Sequence, residues 1–158
     1  MHQMLGYLED CFLVRLVSME TSSERQRMVN PRKAYPADTG LIPVFDRSGK
    51  QNLGHALECA VLLELERRRA TVTYVKTKSG FEVDFLARSP SGDLELVQVC
   101  VDASHPKTAE RETRALVETA EQFPGAVKTL LVMARDGIPA QVPPGIRVQC
   151  AWEWMLGR

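Results

Sequence analysis

"GFEVDFLARSPSGDLELVQVCVD", residues 80–102, is the stretch that decides how this chain folds. Two apolar-rich runs, 81–87 and 94–101, flank Ser-Pro-Ser-Gly-Asp, a sequence built for a turn. The pattern predicts two antiparallel strands joined as a hairpin. Each strand nevertheless carries polar side chains where a buried strand would be apolar. Glu82 and Asp84 sit two apart in the first, Gln98 and Cys100 two apart in the second.

Alternation predicts which way these side chains face. Phe81, Val83 and Phe85 are expected on one face, Glu82 and Asp84 on the other. Val97, Val99 and Val101 oppose Gln98, Cys100 and Asp102 in the same manner. If the strands pair, the acids of one meet Gln98 and Cys100 of the other. The plain explanation is the wet face of a one-sided antiparallel sheet. A helix acid, Glu58 or Glu64, is placed to approach the same spot. Glu58 argues against the wet face, because it follows Leu57 beside the apolar stripe of its helix, whereas Glu64 and Glu66 fall more naturally on solvated turns.

Outward from the hairpin, "NLGHALECAVLLELERRR" (52–69) is the clearest helix, with Asn52 as its cap and Leu53, Leu57, Val61 and Leu65 on one stripe. "TVTYVKT" reads as a strand leading into the hairpin. A second helix starts at Pro106 and Lys107 and runs to about Phe123, with Ala109, Thr113, Leu116, Ala120 and Phe123 sharing a face. "VKTLLVMA" is a continuous apolar run, as a central strand requires, "IRVQCA" a last strand, and "WEWML" a terminal turn or helix. The link from 94–101 through this helix to 127–134 has the length of a strand–helix–strand crossover. Before residue 52 the pattern is weaker. A helix is expected over 3–16, with Leu8, Phe12 and Leu16 on one stripe, followed by "METSSERQRMVNPRK" as a loop or exposed hairpin. "KAYPADTGL" is a short extended segment whose Pro36 belongs on an edge, and "DRSGKQN" is loop. The fold class is therefore α/β, a mixed α+β arrangement of a mixed central sheet flanked by helices. Residues 1–50, the first helix and its connecting segment, are expected to pack into the same domain as a core formed by 51–158.

The 158 residues suffice for one domain. Lys plus Arg and Asp plus Glu each total 20, so no global basic field draws the chain to nucleic acid. Any such surface would be a local patch. The four cysteines are widely spaced and form no Cys-x-x-Cys pair, which speaks against metal knuckles and a disulfide framework. No apolar run approaches a membrane span and Met1–Gly6 is no signal peptide, so a cytoplasmic, soluble chain is expected. Opening almost inside a helix, the chain is expected to be a fragment of something longer.

A helix Glu, a strand Asp and an acid-x-Lys in the paired strand form the pattern of the PD-(D/E)xK nuclease-like fold. More closely, "YLEDCFLVRLV", "NPRKAYPADTGL", "GHALECAVLLELERRRATVTYVKTKSGFEVDFLA", "LELVQVCVD" and "RETRAL" together resemble the uncharacterised C-terminal domain of a family of prokaryotic AAA+ ATPases. The resemblance spans nearly the whole chain. It implies a restriction-endonuclease-like core over 51–158 and an ATPase module as partner in the full-length protein. No Gly-x-x-x-x-Gly-Lys-[Ser/Thr] loop occurs, so no ATP site is expected here. Carried onto this sequence, the helix acid is Glu58 and the strand acid Asp84, with Glu82 beside it. Glu58, Asp84 and Glu82 would be the ligands of Mg²⁺, the expected cofactor of an active member. The acid-x-Lys tripeptide is Gln98-Val99-Cys100, so Gln98 brings no charge and Cys100 no cation. Lys76 or Lys78 is a candidate replacement from the neighbouring strand. The implied function is a degenerate nuclease-like domain that binds nucleic acid or a partner. The alternatives are an active Mg²⁺-dependent nuclease with a displaced lysine, and a protein-interaction or oligomerisation module.

Other constellations have simpler readings. The lone Asp38-Thr39-Gly40 echoes an aspartic-protease loop, but a pair is needed, so Asp38 is expected to organise a turn. His2, His55 and His105 show no ligand spacing and are read as solvated or capping. Arg67, Arg68 and Arg69 read first as a solvated helix end and second as a phosphate-binding strip. Trp152 and Trp154, among Met155 and Leu156, are expected as packing anchors.

Overall fold

The computed structural model describes residues 2–45 and 52–157. The hairpin is present: β4 (Glu82–Arg88) pairs antiparallel with β5 (Leu94–Cys100), and β3 (Thr71–Lys76) pairs antiparallel with β4 on its other side. Helix α5 (Pro106–Ala120) then carries the chain to β6 (Val127–Val132), parallel to β5, and β7 (Ile146–Cys150) adds parallel to β6. The result is a five-stranded mixed sheet in the order β3-β4-β5-β6-β7. Gln98 and Thr129 apart, the middle of β5 and β6 is apolar and buried, because helices cover both faces.

Helix α4 (Leu53–Arg67) and the short α6 (Ala151–Met155) pack on one face, where Leu62, Leu65, Phe85, Val97 and Trp154 share a core with Tyr35. Helix α5 covers the other, where Leu116 meets Leu86, Leu96, Leu130 and Val132. Asn52 caps α4 by accepting from the His55 N–H, and His105 caps α5 by accepting from the Lys107 N–H. Trp154 is a packing anchor, buried beneath Arg68, whereas Trp152 is half exposed. No helix among the described residues is long and apolar enough to cross a membrane.

The first part of the chain differs from the helix expected over 3–16. Helix α1 (His2–Asp10) ends early, and Phe12 takes a left-handed φ of 57° and is exposed rather than part of a stripe. "VRLVS" is strand β1 (Val14–Ser18). Its branched side chains suit an extended backbone, and it gains a partner in β2 (Arg32–Pro36) that local periodicity could not reveal. The stretch between them is a hairpin carrying the short helix α2 (Glu24–Val29). Asp38 organises a turn as expected, its carboxylate accepting from the Gly40 N–H, and leads into the short helix α3 (Ile42–Phe45). The loop expected after it lies largely outside the described residues.

Facing in β4 also departs from simple alternation. Thr73 pairs with Leu86 and Val75 with Val83, so two steps along β3 match three along β4. This bulge puts Val83 with Leu86 in the α5-side core and Phe85 with Ala87 in the α4-side core. Phe81 and Val83 share a face, but Phe85 does not join them.

The end of α4 explains the arginine run. Arg67 and Arg68 both donate to Glu64, and Arg68 lies 4.0 Å above the Trp154 ring. The Ala70 N–H donates to the Leu65 carbonyl and the Arg69 N–H to that of Glu66, a Schellman closure with Arg69 in the left-handed conformation at φ 60°. This is a helix terminus more than a phosphate strip. Arg69→Gly should raise stability by roughly 1 kcal/mol, since only glycine adopts that conformation without a Cβ penalty. Urea unfolding at neutral pH checks this, with Arg67→Gly, inside the helix, expected to move stability the other way.

Candidate functional site

Beyond the bulge, β4 and β5 part. Their ladder runs from Arg88–Leu94 to Phe85–Val97 and there ends. At the next pair the side chains take over the backbone's hydrogen bonds. The Asp84 N–H donates to Gln98 Oε1 at 3.3 Å, and the Val99 N–H donates to Asp84 Oδ2 at 3.0 Å. The Asp84 carboxylate is thus buried in a fork of the sheet.

Its other oxygen meets a cation from the N-terminal ribbon. Lys33 Nζ donates to Asp84 Oδ1 at 3.0 Å and lies 2.7 Å from Glu82 Oε1. On β2, Lys33 shares a face with Tyr35, whose ring is in the core and whose hydroxyl donates to Glu58 Oε2 at 2.9 Å. The Tyr35 ring also stacks on His55, with centroids 5.2 Å apart. From the opposite layer, Gln98 Nε2 donates to Glu112 Oε2 at 2.8 Å, and Arg111 holds the other Glu112 oxygen. A groove of about 490 Å³ opens here, lined by Glu58, Glu82, Asp84, Gln98, Cys100 and Glu112.

The electrostatics follow from burial and from Lys33. Burial lowers the Lys33 pKa, but Asp84 and Glu82 outweigh it and hold the ammonium above its ordinary value. Burial raises Asp84, opposed by the Lys33 charge and the Val99 N–H. Glu58 is raised by burial and then by the Asp84 charge, while the Tyr35 hydroxyl pulls the other way. Burial, with Glu112 next, raises the Cys100 thiol, so it is no ready nucleophile. Burial and the Lys33 charge lower His55, which leaves a neutral imidazole.

The residues singled out from sequence are therefore brought to one groove, with two corrections. Gln98 does not face Glu58: it turns to Glu112 on α5, while Glu58 descends from α4 on the other face. The lysine that enters is neither Lys76 nor Lys78 but Lys33, 51 residues from Asp84. Cys100 lies at the groove, its thiol donating to the Asp102 carbonyl. Sequence reasoning missed Lys33, Tyr35 and Glu112. The signal for Lys33 was its place two residues before Tyr35 in an extended segment, so that a buried Tyr35 turns Lys33 inward as well. Glu112 had a weaker signal, lying one residue from Thr113 on the buried face of its helix.

As arranged, Glu82 and Asp84 fit an ammonium group, and Lys33 occupies one oxygen of each. Among the described residues, no group of three or more His, Cys, Asp or Glu side chains is placed to hold a metal ion. No family model, no curated protein and no solved structure matches this chain.

Two predictions follow from this geometry. Gln98→Glu would set a carboxylate about 2.8 Å from Glu112 and should cost on the order of 3 kcal/mol at neutral pH, the scale of a broken buried charge arrangement. The Gln98→Glu, Glu112→Gln double variant restores one donor facing one carboxylate and should recover most of that loss in urea unfolding. Glu58 gives the second. Its raised pKa means that the folded state binds a proton more tightly, so its contribution is greatest below the ordinary 4.5 and is lost as pH rises through the folded value. Glu58→Gln keeps an acceptor for Tyr35 and should flatten the fall in melting temperature above pH 4.5, as followed by calorimetry.

Proposed function

We propose that this chain is a degenerate nuclease-like domain with a restriction-endonuclease-like core, the C-terminal part of an AAA+ ATPase, and that it binds nucleic acid or a partner without cutting. The observation that carries the reading is the Lys33 ammonium bound to both Glu82 and Asp84. The protein itself supplies the cation these carboxylates require. Gln98 and Cys100 contribute no further charge, and Gln98 is committed to Asp84 and Glu112. The crossover from β5 through α5 to β6, beside an antiparallel hairpin, is the frame such a core would need. In an active relative of the proposed kind, charge stabilisation at the scissile phosphate does most of the work, and losing one such contributor costs roughly 10²–10³ in rate.

One observation favours a second reading. Lys33 is a lysine within reach of Asp84, and Glu112 is an acid beside Gln98, so the missing acid and lysine each have a neighbour of the right type. On this reading the chain is a Mg²⁺-dependent nuclease with displaced residues.

Cleavage assays with single-stranded, duplex and branched DNA and with RNA, in Mg²⁺ or Mn²⁺, separate the two. The expected result is no turnover that depends on Asp84. Turnover abolished by both Asp84→Ala and Lys33→Met would establish the displaced-lysine nuclease instead. Calorimetric titration with Mn²⁺ should detect no site in the unsubstituted chain, and a tight site lost in Asp84→Ala would overturn the binding-only reading.

A further inference from the structure

The hairpin between β1 and β2 is fixed at its base and free at its tip. The Glu20 N–H donates to the Tyr74 carbonyl at 2.8 Å and Thr73 Oγ1 donates to Glu20 Oε2 at 2.8 Å. On the returning side, the Tyr74 hydroxyl donates to the Pro31 carbonyl at 2.7 Å. Both legs are therefore stitched to edge strand β3. Between them, Ser23 caps α2, and no residue of that helix is buried. A six-residue helix is too short to be stable by its own hydrogen bonds, and this one adds nothing to the core. Met28 and Val29, at its end, are 74% and 71% exposed.

Charge around the tip is uneven. Glu20 is engaged by Thr73, and Glu24 pairs with Arg27 at 3.3 Å. Arg25 and Arg32 are exposed and have no anionic partner among the described residues. Lys76, also exposed, stands two residues beyond Tyr74 on β3. Lys76 stands opposite Glu82, so in a chain of zero formal net charge the hairpin's own excess is the two arginines, three residues to either side of the apolar Met28 and Val29. Two apolar side chains are too little to hold a lipid surface. They suffice as a wedge in a nucleic-acid groove whose phosphates are gripped on either side.

We infer that this hairpin is a contact surface for duplex nucleic acid, with Arg25 and Arg32 on phosphates and Met28 and Val29 in the groove. It gives the proposed binding function a location apart from the carboxylate groove, and it stands whether or not that groove is catalytic.

The test is fluorescence anisotropy of a labelled duplex with the whole chain, at several salt concentrations. The Arg25→Gln, Arg32→Gln double variant should reduce the slope of log affinity against log salt by about 2, so that raising salt from about 50 to 200 mM costs it roughly tenfold less affinity. Arg25→Lys, Arg32→Lys keeps both charges and should restore the slope. Met28→Ser, Val29→Ser should weaken binding at every salt concentration and leave the slope unchanged. Arg67→Gln, at a cation already paired with Glu64, should leave the slope unaltered. All these hairpin variants should melt with the parent chain, because α2 buries nothing and Arg32 is exposed on β2. The inference is overturned if the duplex shows no salt-sensitive binding or if the double glutamine variant keeps the parent slope. It is likewise overturned if phosphatidylserine vesicles or polyglutamate bind more tightly than the duplex.

Discussion

A buried carboxylate needs hydrogen bonds or a positive charge, and Asp84 takes both. It stands where β4 and β5 diverge, so one oxygen replaces a strand carbonyl by accepting from the Val99 N–H and the other is left for Lys33. This one demand fixes much else. It draws the N-terminal ribbon across the edge of the main sheet. It turns Gln98 so that its carbonyl oxygen meets the Asp84 N–H, which leaves the amide nitrogen pointing at α5, where Glu112 receives it. A strand fork, a ribbon and a helix are thereby tied through two side chains, those of Asp84 and Gln98.

Such an arrangement is poor as a source of stability. Removing ions from water costs several kcal/mol each, and a buried pair often recovers no more than that. The apolar layers on the two faces carry the fold, with Leu62, Leu65 and Phe85 on one side and Leu96, Leu116 and Leu130 on the other. What the polar cluster contributes is uniqueness of position. Glu58 and Glu112 approach from opposite faces, and neither helix can shift by a turn without stranding a charge.

Strong periodicity made the second half of the chain legible. The hairpin, α4, the α5 crossover and the last two strands follow directly from patterns in residues 52–156, whereas the choice of Glu58, Asp84 and Gln98 as one site rests on the family resemblance, and periodicity did not show that Gln98 turns to Glu112. The first half was obscure for a physical reason. "VRLVS" has helix-compatible spacing, and its strand conformation depends on pairing with "RKAYP" some eighteen residues on. Lys33 was hidden by the same dependence, because a lysine in a basic stretch reads as solvated until its strand is placed. Alternation failed at Phe85 because a bulge is a property of two strands in register, which neither strand's sequence displays.

The span between Lys33 and Asp84 bears on how the chain folds. The β4–β5 turn closes locally, with the Ser89 N–H donating to the Asp93 carbonyl, whereas the ribbon's lysine must return over 51 residues. Closing a loop of that length costs entropy before the contact repays it. The main sheet can therefore assemble first and the ribbon dock onto it afterwards, completing the groove last. A domain built in that order keeps its most polar cluster out of the rate-limiting barrier. Changes at Lys33 would then speed unfolding and leave the refolding rate nearly as it was.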